Sequence, residues 1–246
     1  MGEHERNRDA FTLRTGITPA DLNVLSRVPL FAGLAPDDMR KLLASSSIRR
    51  YPDQTTLFVE GDPADRFFVV MDGWVKLYRL CEDGHEVVIS VVSPGESFAE
   101  AAIFDSKTFP VNAVAITDTR LLVVGAEALL RELRDNMDFT FNMLGTLSRH
   151  LRGNITTLHQ ISAMSSTERL AGFLLGLCRV VEGEAKIRLP LDKSLIAARL
   201  GMQPETFSRA LAKLKKEGVT NSGHDVIISD VASLRHFIKH NAKGRH

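Results

Sequence analysis

Residues 191–219 read LDKSLIAARLGMQPETFSRALAKLKKEGV, and the spacing inside that stretch decides the class of fold. Leu195, Ile196 and Leu200 fall at helical spacing behind Ser194, whose hydroxyl is the expected N-cap. Ala197 is small enough for a second helix to cross closely over it. Four residues on, Gly201 offers the positive φ that a sharp helix-ending turn requires. Gln203-Pro204-Glu205 then opens a second helix, with Pro204 in the first turn, where no amide donor is needed. Phe207, Ala210, Leu211 and Leu214 supply its buried stripe, while Glu205, Thr206, Ser208, Arg209, Ala212 and Lys213 face elsewhere. A small residue, a glycine four later and a large apolar residue six after that is helix-turn-helix spacing.

The charge pattern supports this reading. The chain of 246 residues carries a formal net charge of only +1, which by itself implies no polyanionic partner. From Asp192 onward, however, ten Lys/Arg face five acids, leaving that end at +5 and the remainder at −4. A basic end bearing a helix-turn-helix is the electrostatic footprint of a DNA reader; a solvated surface with a basic tail is the plainer alternative. The length suits one large or two modest domains. Cys81 and Cys178, far apart, offer no disulfide framework and no familiar metal spacing, so a reducing cytoplasm is expected. No apolar run approaches membrane-spanning length, and no membrane partner is expected.

Upstream of the reader, residues 1–18 are polar and expected to be mobile. Pro19–Ser26 and Ala35–Ser45 read as short helices, the second capped by Asp37 or Asp38 with Met39, Leu42 and Leu43 inward. From Ile48 the period changes. Strands are expected at Thr55–Glu60, Phe67–Met71, Val75–Leu80, Val87–Val92, Asn112–Ala115 and Arg120–Gly125, separated by turns such as Asp72-Gly73 and Ser93-Pro94-Gly95. Strands at regular spacing without intervening helices predict an antiparallel roll or jelly roll, from about Ile48 to Val124.

Helical pattern returns at Ala126–Asp135 and then runs long, from about Met137 to Met164. Leu144, Leu147, Leu151, Leu158 and Ile161 alternate three and four apart, with Asn154 in the remaining seam position. That stripe predicts an intermolecular seam, a homodimer, in preference to an amphipathic helix on its own domain. Thr167 is the expected cap of the next helix, Glu168–Val181, and Lys186–Leu189 and Asp225–Ile228 read as short strands flanking the reader.

With those motifs in view, residues 25–238 resemble the CRP/FNR family of transcription factors. The roll segment LFVEGDPADRFFVVMDGWVKLYRLCEDGHEVVISVVSPGESFAE, the long helix and residues 191–219 carry the likeness. The resemblance implies an α+β chain: a cyclic-nucleotide-binding-type β-roll domain over residues 19–136, a dimerisation helix over 137–164 and a winged helix-turn-helix over 165–246. It further implies double-stranded DNA and RNA polymerase as partners. Glu205, Ser208 and Arg209 match the family's E-x-x-S-R pattern, which implies palindromes of TTGAT/ATCAA half-sites. The chemistry agrees: an arginine donates two parallel bonds to guanine O6 and N7, and a glutamate accepts from a cytosine amino group. The alternative is that Glu205 and Arg209, four apart, pair with each other. Gln203, Thr206 and Lys213 complete the expected reading surface, with Lys213, Lys215 and Lys216 on phosphates.

The effector follows from departures within the family. The cyclic-nucleotide branch needs an arginine for the phosphate; here the cassette reads FAEAAIFDSKTFPVNA, with Pro110-Val111 at the arginine position, so cyclic-nucleotide binding is not expected. Glu100 then reads as a partnered structural carboxylate. Two cysteines cannot supply the four of an iron–sulfur cluster, so no such cluster is expected, and both read as small apolar packing residues. The resemblance is then to Dnr/NNR-type regulators of denitrification, which implies a response to nitric oxide, through haem. Phe98, Glu100, Ile103, Phe104, Leu147 and Leu151 are the expected effector pocket. His85, His150 and His159 are candidate iron ligands that match no pattern, and His224, His236, His240 and His246 are poorer ones. A regulator of another small molecule or redox signal, or one with no ligand, stays open. An enzyme is not expected, since nothing resembles a nucleophile elbow, a phosphate loop or a metal-hydrolase helix. Effector binding is expected to repack the long helices and reorient the readers through a hinge at Ser165-Ser166-Thr167.

Overall fold

The computed structural model describes residues 10–243, apart from 33, 82, 106, 142, 146–147 and 149–163. Two compact units emerge, residues 1–152 and 153–246.

In the first unit, helices α1 (10–15), α2 (Pro19–Leu25) and α3 (Pro36–Leu42) precede strands β1 (Ser47–Tyr51), β2 (Thr56–Phe58), β3 (Arg66–Asp72), β4 (Val75–Leu80), β5 (Glu86–Val92) and β6 (Ser97–Phe98). A short helix α4 (Glu100–Phe104), strands β7 (Asn112–Ala115) and β8 (Thr119–Gly125) and helix α5 (Ala126–Asp135) follow. Helix α6 is described at 137–141, 143–145 and 148. The strands form two four-stranded antiparallel sheets, ordered β1-β8-β3-β6 and β2-β7-β4-β5.

Strand β3 is buried on both faces, which is why RFFVVMD reads as a continuous apolar run. Phe68 and Val70 face the core between the sheets, with Phe58, Val75, Val92, Phe98, Ala113 and Leu121. Phe67, Val69 and Met71 face the helices, against Leu25, Phe31, Met39, Leu42, Leu129, Phe139 and Met143. The period of two thus serves two cores, one inside the roll and one beneath its helical cover.

Several expectations need correction. Residues 10–15 are helical instead of mobile: Phe11 and Ile17 are buried, and Thr15 Oγ1 donates to the Phe11 carbonyl at 2.7 Å while accepting the Ile17 amide at 3.1 Å. Thr18 then caps α2 in a reciprocal box with Asp21. Helix α3 has Ala35 at its N-cap and no side-chain cap; Asp37 and Asp38 sit in its first turn, beside the positive end of the helix. β1 and β6 were not anticipated, and β2 is shorter than expected.

Asp21 ties the ends of this unit together. Its carboxylate accepts from the Thr18 amide (2.9 Å) and hydroxyl (2.7 Å) and from the Arg120 guanidinium of β8. Burial opposes ionisation there, but the guanidinium and the Thr18 donors outweigh it and hold the carboxyl below its ordinary range.

Candidate nucleic-acid interface

In the second unit α7 (Ser166–Leu177), β9 (Ala185–Arg188), α8 (Lys193–Arg199), α9 (Pro204–Leu214), β10 (Val219–Ser222), β11 (Asp225–Ile228) and α10 (Val231–Lys243) run in that order. The strands form a three-stranded antiparallel sheet, β10-β11-β9, beside the helices. A helix-turn-helix with such a sheet is a winged helix.

Helix α7 (Ser166–Leu177) is capped two residues before the expected Thr167. Ser165 is the N-cap: its hydroxyl accepts the Glu168 amide, and the Glu168 carboxylate accepts the Ser165 amide. Thr167 is buried inside the first turn, so of the expected hinge Ser166 and Thr167 are helical and Ser165 alone precedes the helix. The helix ends at Leu177, four residues before Val181. Asp192 occupies the N-cap of α8 without a capping bond from its side chain to the first turn, and Ser194 lies inside that helix.

The reader itself follows its spacing. Gly201 has φ +61° between α8 and α9, Gln203 is the α9 N-cap and Pro204 its first residue. Phe207, Ala210, Leu211 and Leu214 are all buried, and α9 packs on α7 and α8. Gln203, Glu205, Ser208, Arg209 and Lys213 are exposed; Thr206 is half-buried. Lys215 and Lys216, just beyond α9, are exposed as well. Among the described residues no ion pair joins Glu205 to Arg209; Arg209 Nη2 instead donates to Thr206 Oγ1 at 3.3 Å. Ser208 Oγ donates back to the Pro204 carbonyl at 3.1 Å, which leaves its lone pairs as acceptors. The exposed face thus offers one guanidinium fork, one carboxylate, one hydroxyl and an amide, above a row of lysines.

His224 of the wing lies 3.3 Å from an Asp192 carboxylate oxygen and accepts the Leu189 amide through its carbonyl, so it braces the start of α8. Cys178, at the end of α7, donates to the Leu174 carbonyl; burial pushes its thiol up, with Arg235 opposing.

The described members of the expected effector set are not brought together. Phe98 belongs to the core inside the roll, Ile103 to the core beneath the helices, and Phe104 is 52% exposed. Leu147 and Leu151 lie outside the described residues. Inside the roll, Phe58, Phe68, Phe98 and Phe109 stack with centroids from 3.8 Å (Phe58–Phe109) to 6.3 Å (Phe58–Phe98), each at most 4% exposed. His85 sits exposed in the β4–β5 hairpin, and His150 and His159 lie outside the described residues. Among the described residues no histidine lies inside the roll. Cys81 is exposed in the same hairpin, contrary to its expected packing role. Glu100 is partnered on one oxygen only: Oε1 accepts from Ser97 Oγ at 3.0 Å, while Oε2 is buried without a hydrogen bond. At the cassette's arginine position, the Pro110 carbonyl accepts from Arg79 Nε of β4 at 2.9 Å.

Of the expected seam, Leu144 is described and 55% exposed; Leu147, Leu151, Asn154, Leu158 and Ile161 lie outside the described residues. Met137 (60%) and Phe141 (64%), missed from sequence, extend the exposed stripe, whereas Phe139 and Met143 turn into the unit's own core. Their i, i+4, i+7 spacing would have revealed them. Among the described residues no helix is long and apolar enough to cross a membrane, and no group of three or more His, Cys, Asp or Glu could hold a metal ion.

A winged helix that presents its second helix to solvent, polar and basic, defines a DNA-binding regulator and not an enzyme. Residues 48–136 match the cyclic nucleotide-binding domain family and residues 168–237 the Crp-like helix-turn-helix domain family. The chain is 30% identical to the CRP-like cAMP-activated global transcriptional regulator of Mycobacterium tuberculosis, over 86% of this chain and 96% of that one. Its fold is similar to that of a Ruegeria pomeroyi protein proposed to bind cyclic nucleotides (TM-score 0.77, 35% identity, 88% of this chain, 96% of the other). It is also similar to DNR from Pseudomonas aeruginosa (0.57, 32%, 89% and 98%). The chain belongs to the CRP/FNR family of transcriptional regulators.

Proposed function

We propose that this regulator binds palindromes of TTGAT/ATCAA half-sites as a homodimer and controls denitrification genes in response to nitric oxide. The observation that carries the DNA half of this reading is the exposed Glu205/Ser208/Arg209 face of α9, whose acid and base are not spent on each other. A two-fold copy would set two such helices in successive major grooves, about 34 Å apart. The stripe of Met137, Phe141 and Leu144 supports the dimer, because three large apolar side chains stand exposed on one helix whose opposite face is already buried. RNA polymerase is the partner expected of such a regulator.

The nitric oxide response rests on the likeness to Dnr/NNR-type regulators. Pro110 and Val111 in place of a phosphate-binding arginine argue against a cyclic nucleotide as effector. A haem would supply a strong, reversible bond to nitric oxide. The phenylalanine stack inside the roll favours a second reading, a regulator that needs no ligand there. Reconstitution with haem separates the two: a Soret band that shifts with nitric oxide while operator affinity rises supports the sensor, and unchanged operator affinity supports the ligand-free form. For the DNA contacts, Arg209→Ala should lose about 1–3 kcal/mol of preference for the native guanine in each half-site. Competition by guanine-substituted duplexes measures it. Equal binding of native and substituted sites by the wild type would sink the assignment.

A further inference from the structure

We propose that Arg169 is a positioning residue for DNA reading: from α7, its guanidinium holds the turn out of which the reading helix departs. Nη1 donates to the Leu200 carbonyl at 2.8 Å and, more weakly, to the Gly201 carbonyl at 3.4 Å. Leu200 closes α8, and Gly201 is the left-handed residue of the turn, so both acceptors lie at the negative end of α8. A Cβ built on Gly201 would lie 3.5 Å from the same nitrogen, so the guanidinium packs directly on the turn. The contact joins residues 31 and 32 positions apart, which makes it a strut between two elements.

Packing alone does not account for an arginine here. Its Nε is buried with no hydrogen-bond partner, a cost that an apolar side chain of similar length would avoid. What the guanidinium adds is direction, since one charged nitrogen shared between the Leu200 and Gly201 carbonyls fixes the orientation of the turn, and with it the angle at which α9 leaves.

The neighbouring residue shows what this strut connects. Glu168 locks the start of α7 to Ser165 through the capping box, and Arg169 follows it in the same turn of helix. A reorientation arriving at Ser165 is therefore delivered to α9 as a rigid-body rotation, with little absorbed in the α8–α9 turn. The inference rests on α9 being the reading helix.

The test uses the full chain, with Arg169→Gln and Arg169→Lys. Fluorescence anisotropy would follow binding to a duplex carrying the TTGAT/ATCAA palindrome and to a scrambled duplex of equal length and composition, at several salt concentrations. Arg169→Gln should bind the palindrome roughly tenfold more weakly, with scrambled-duplex affinity and salt slope unchanged. Arg169→Lys, which keeps a cationic donor, should recover part of the loss. Amide exchange should quicken at 201–203 while α10 keeps its protection. Unchanged palindrome binding would overturn the proposal. So would equal loss on both duplexes with the salt slope lower by about one, the mark of a phosphate contact, or loss of protection throughout the domain. A wild type that does not prefer the palindrome would instead sink the half-site assignment, leaving the exchange at 201–203 to decide Arg169.

Discussion

Arg209 carries five donors and spends one on Thr206, so its rotamer is steered before any base is met. Thr206→Val should therefore lower discrimination at the guanine by about 0.5–1.5 kcal/mol without shifting the melting temperature; a variant as selective as wild type would show that the hydroxyl steers nothing. The faces of Glu205, Ser208 and Arg209 were legible in the sequence because helical periodicity alone sets them. The role of Thr206 was not, because a side-chain bond depends on rotamers that spacing does not encode. Caps failed for a related reason: Ser165, Ser166 and Thr167 all satisfy the composition of an N-cap, and only the phase of the buried stripe selects the first. Gly73 is a different case. It has φ +81°, and a Cβ there would lie 2.5 Å from the Asp118 carbonyl oxygen. Gly73→Ala should cost at least about 2 kcal/mol in chemical denaturation, and a cost below about 1 kcal/mol would mean the β3–β4 turn can yield.

Among elements, the strands were legible wherever apolar runs were bounded by turn residues, as at β4 and β7, whose limits match expectation. β1 was missed because its sequence, SIRRY, has two exposed arginines and owes its existence to pairing with β8, which begins only at Thr119. Helix α1 was missed because one buried phenylalanine in so short a segment makes no stripe. Ser165→Ala should remove about 1 kcal/mol from the second unit, with exchange quickening first at the amides of the α7 first turn; a uniform change along α7 would contradict a cap. The Asp21 pair gives a pH dependence of definite sign. Its carboxyl titrates lower in the folded chain than in the unfolded one, so its contribution is complete above the unfolded value of about 3.9 and drains as pH falls through the lowered folded value. Melting temperatures of wild type and Asp21→Asn should accordingly converge between about pH 5 and pH 2. A gap constant across that window would remove the ionised pair from the account.

At the scale of the whole molecule, α6 is apolar on two sides. Phe139 and Met143 are consumed by the first unit, leaving Met137, Phe141 and Leu144 for another surface. Phe141→Glu should shift sedimentation from dimer toward monomer, with operator affinity falling by at least about tenfold, because a monomer engages only one half-site. Full affinity in a monomeric variant would disconnect association from reading. The passage from helices to strands and back to helices was legible because the hydrophobic period changes twice, from helical to two and back again. The effector set was not, because Phe98 and Ile103, only five residues apart, face opposite cores across a sheet that a linear reading does not resolve. The ion pair between Asp21 and Arg120 also bears on synthesis. The two partners lie 99 positions apart, and β1 likewise waits for β8. At a ribosomal pace of about 5–20 residues per second, the amino-terminal helices spend several seconds or more outside the tunnel before their anchor is made. During that interval the growing chain displays unpaired strand edges to solvent, so nascent chains stalled before Thr119 are the ones a chaperone should hold longest.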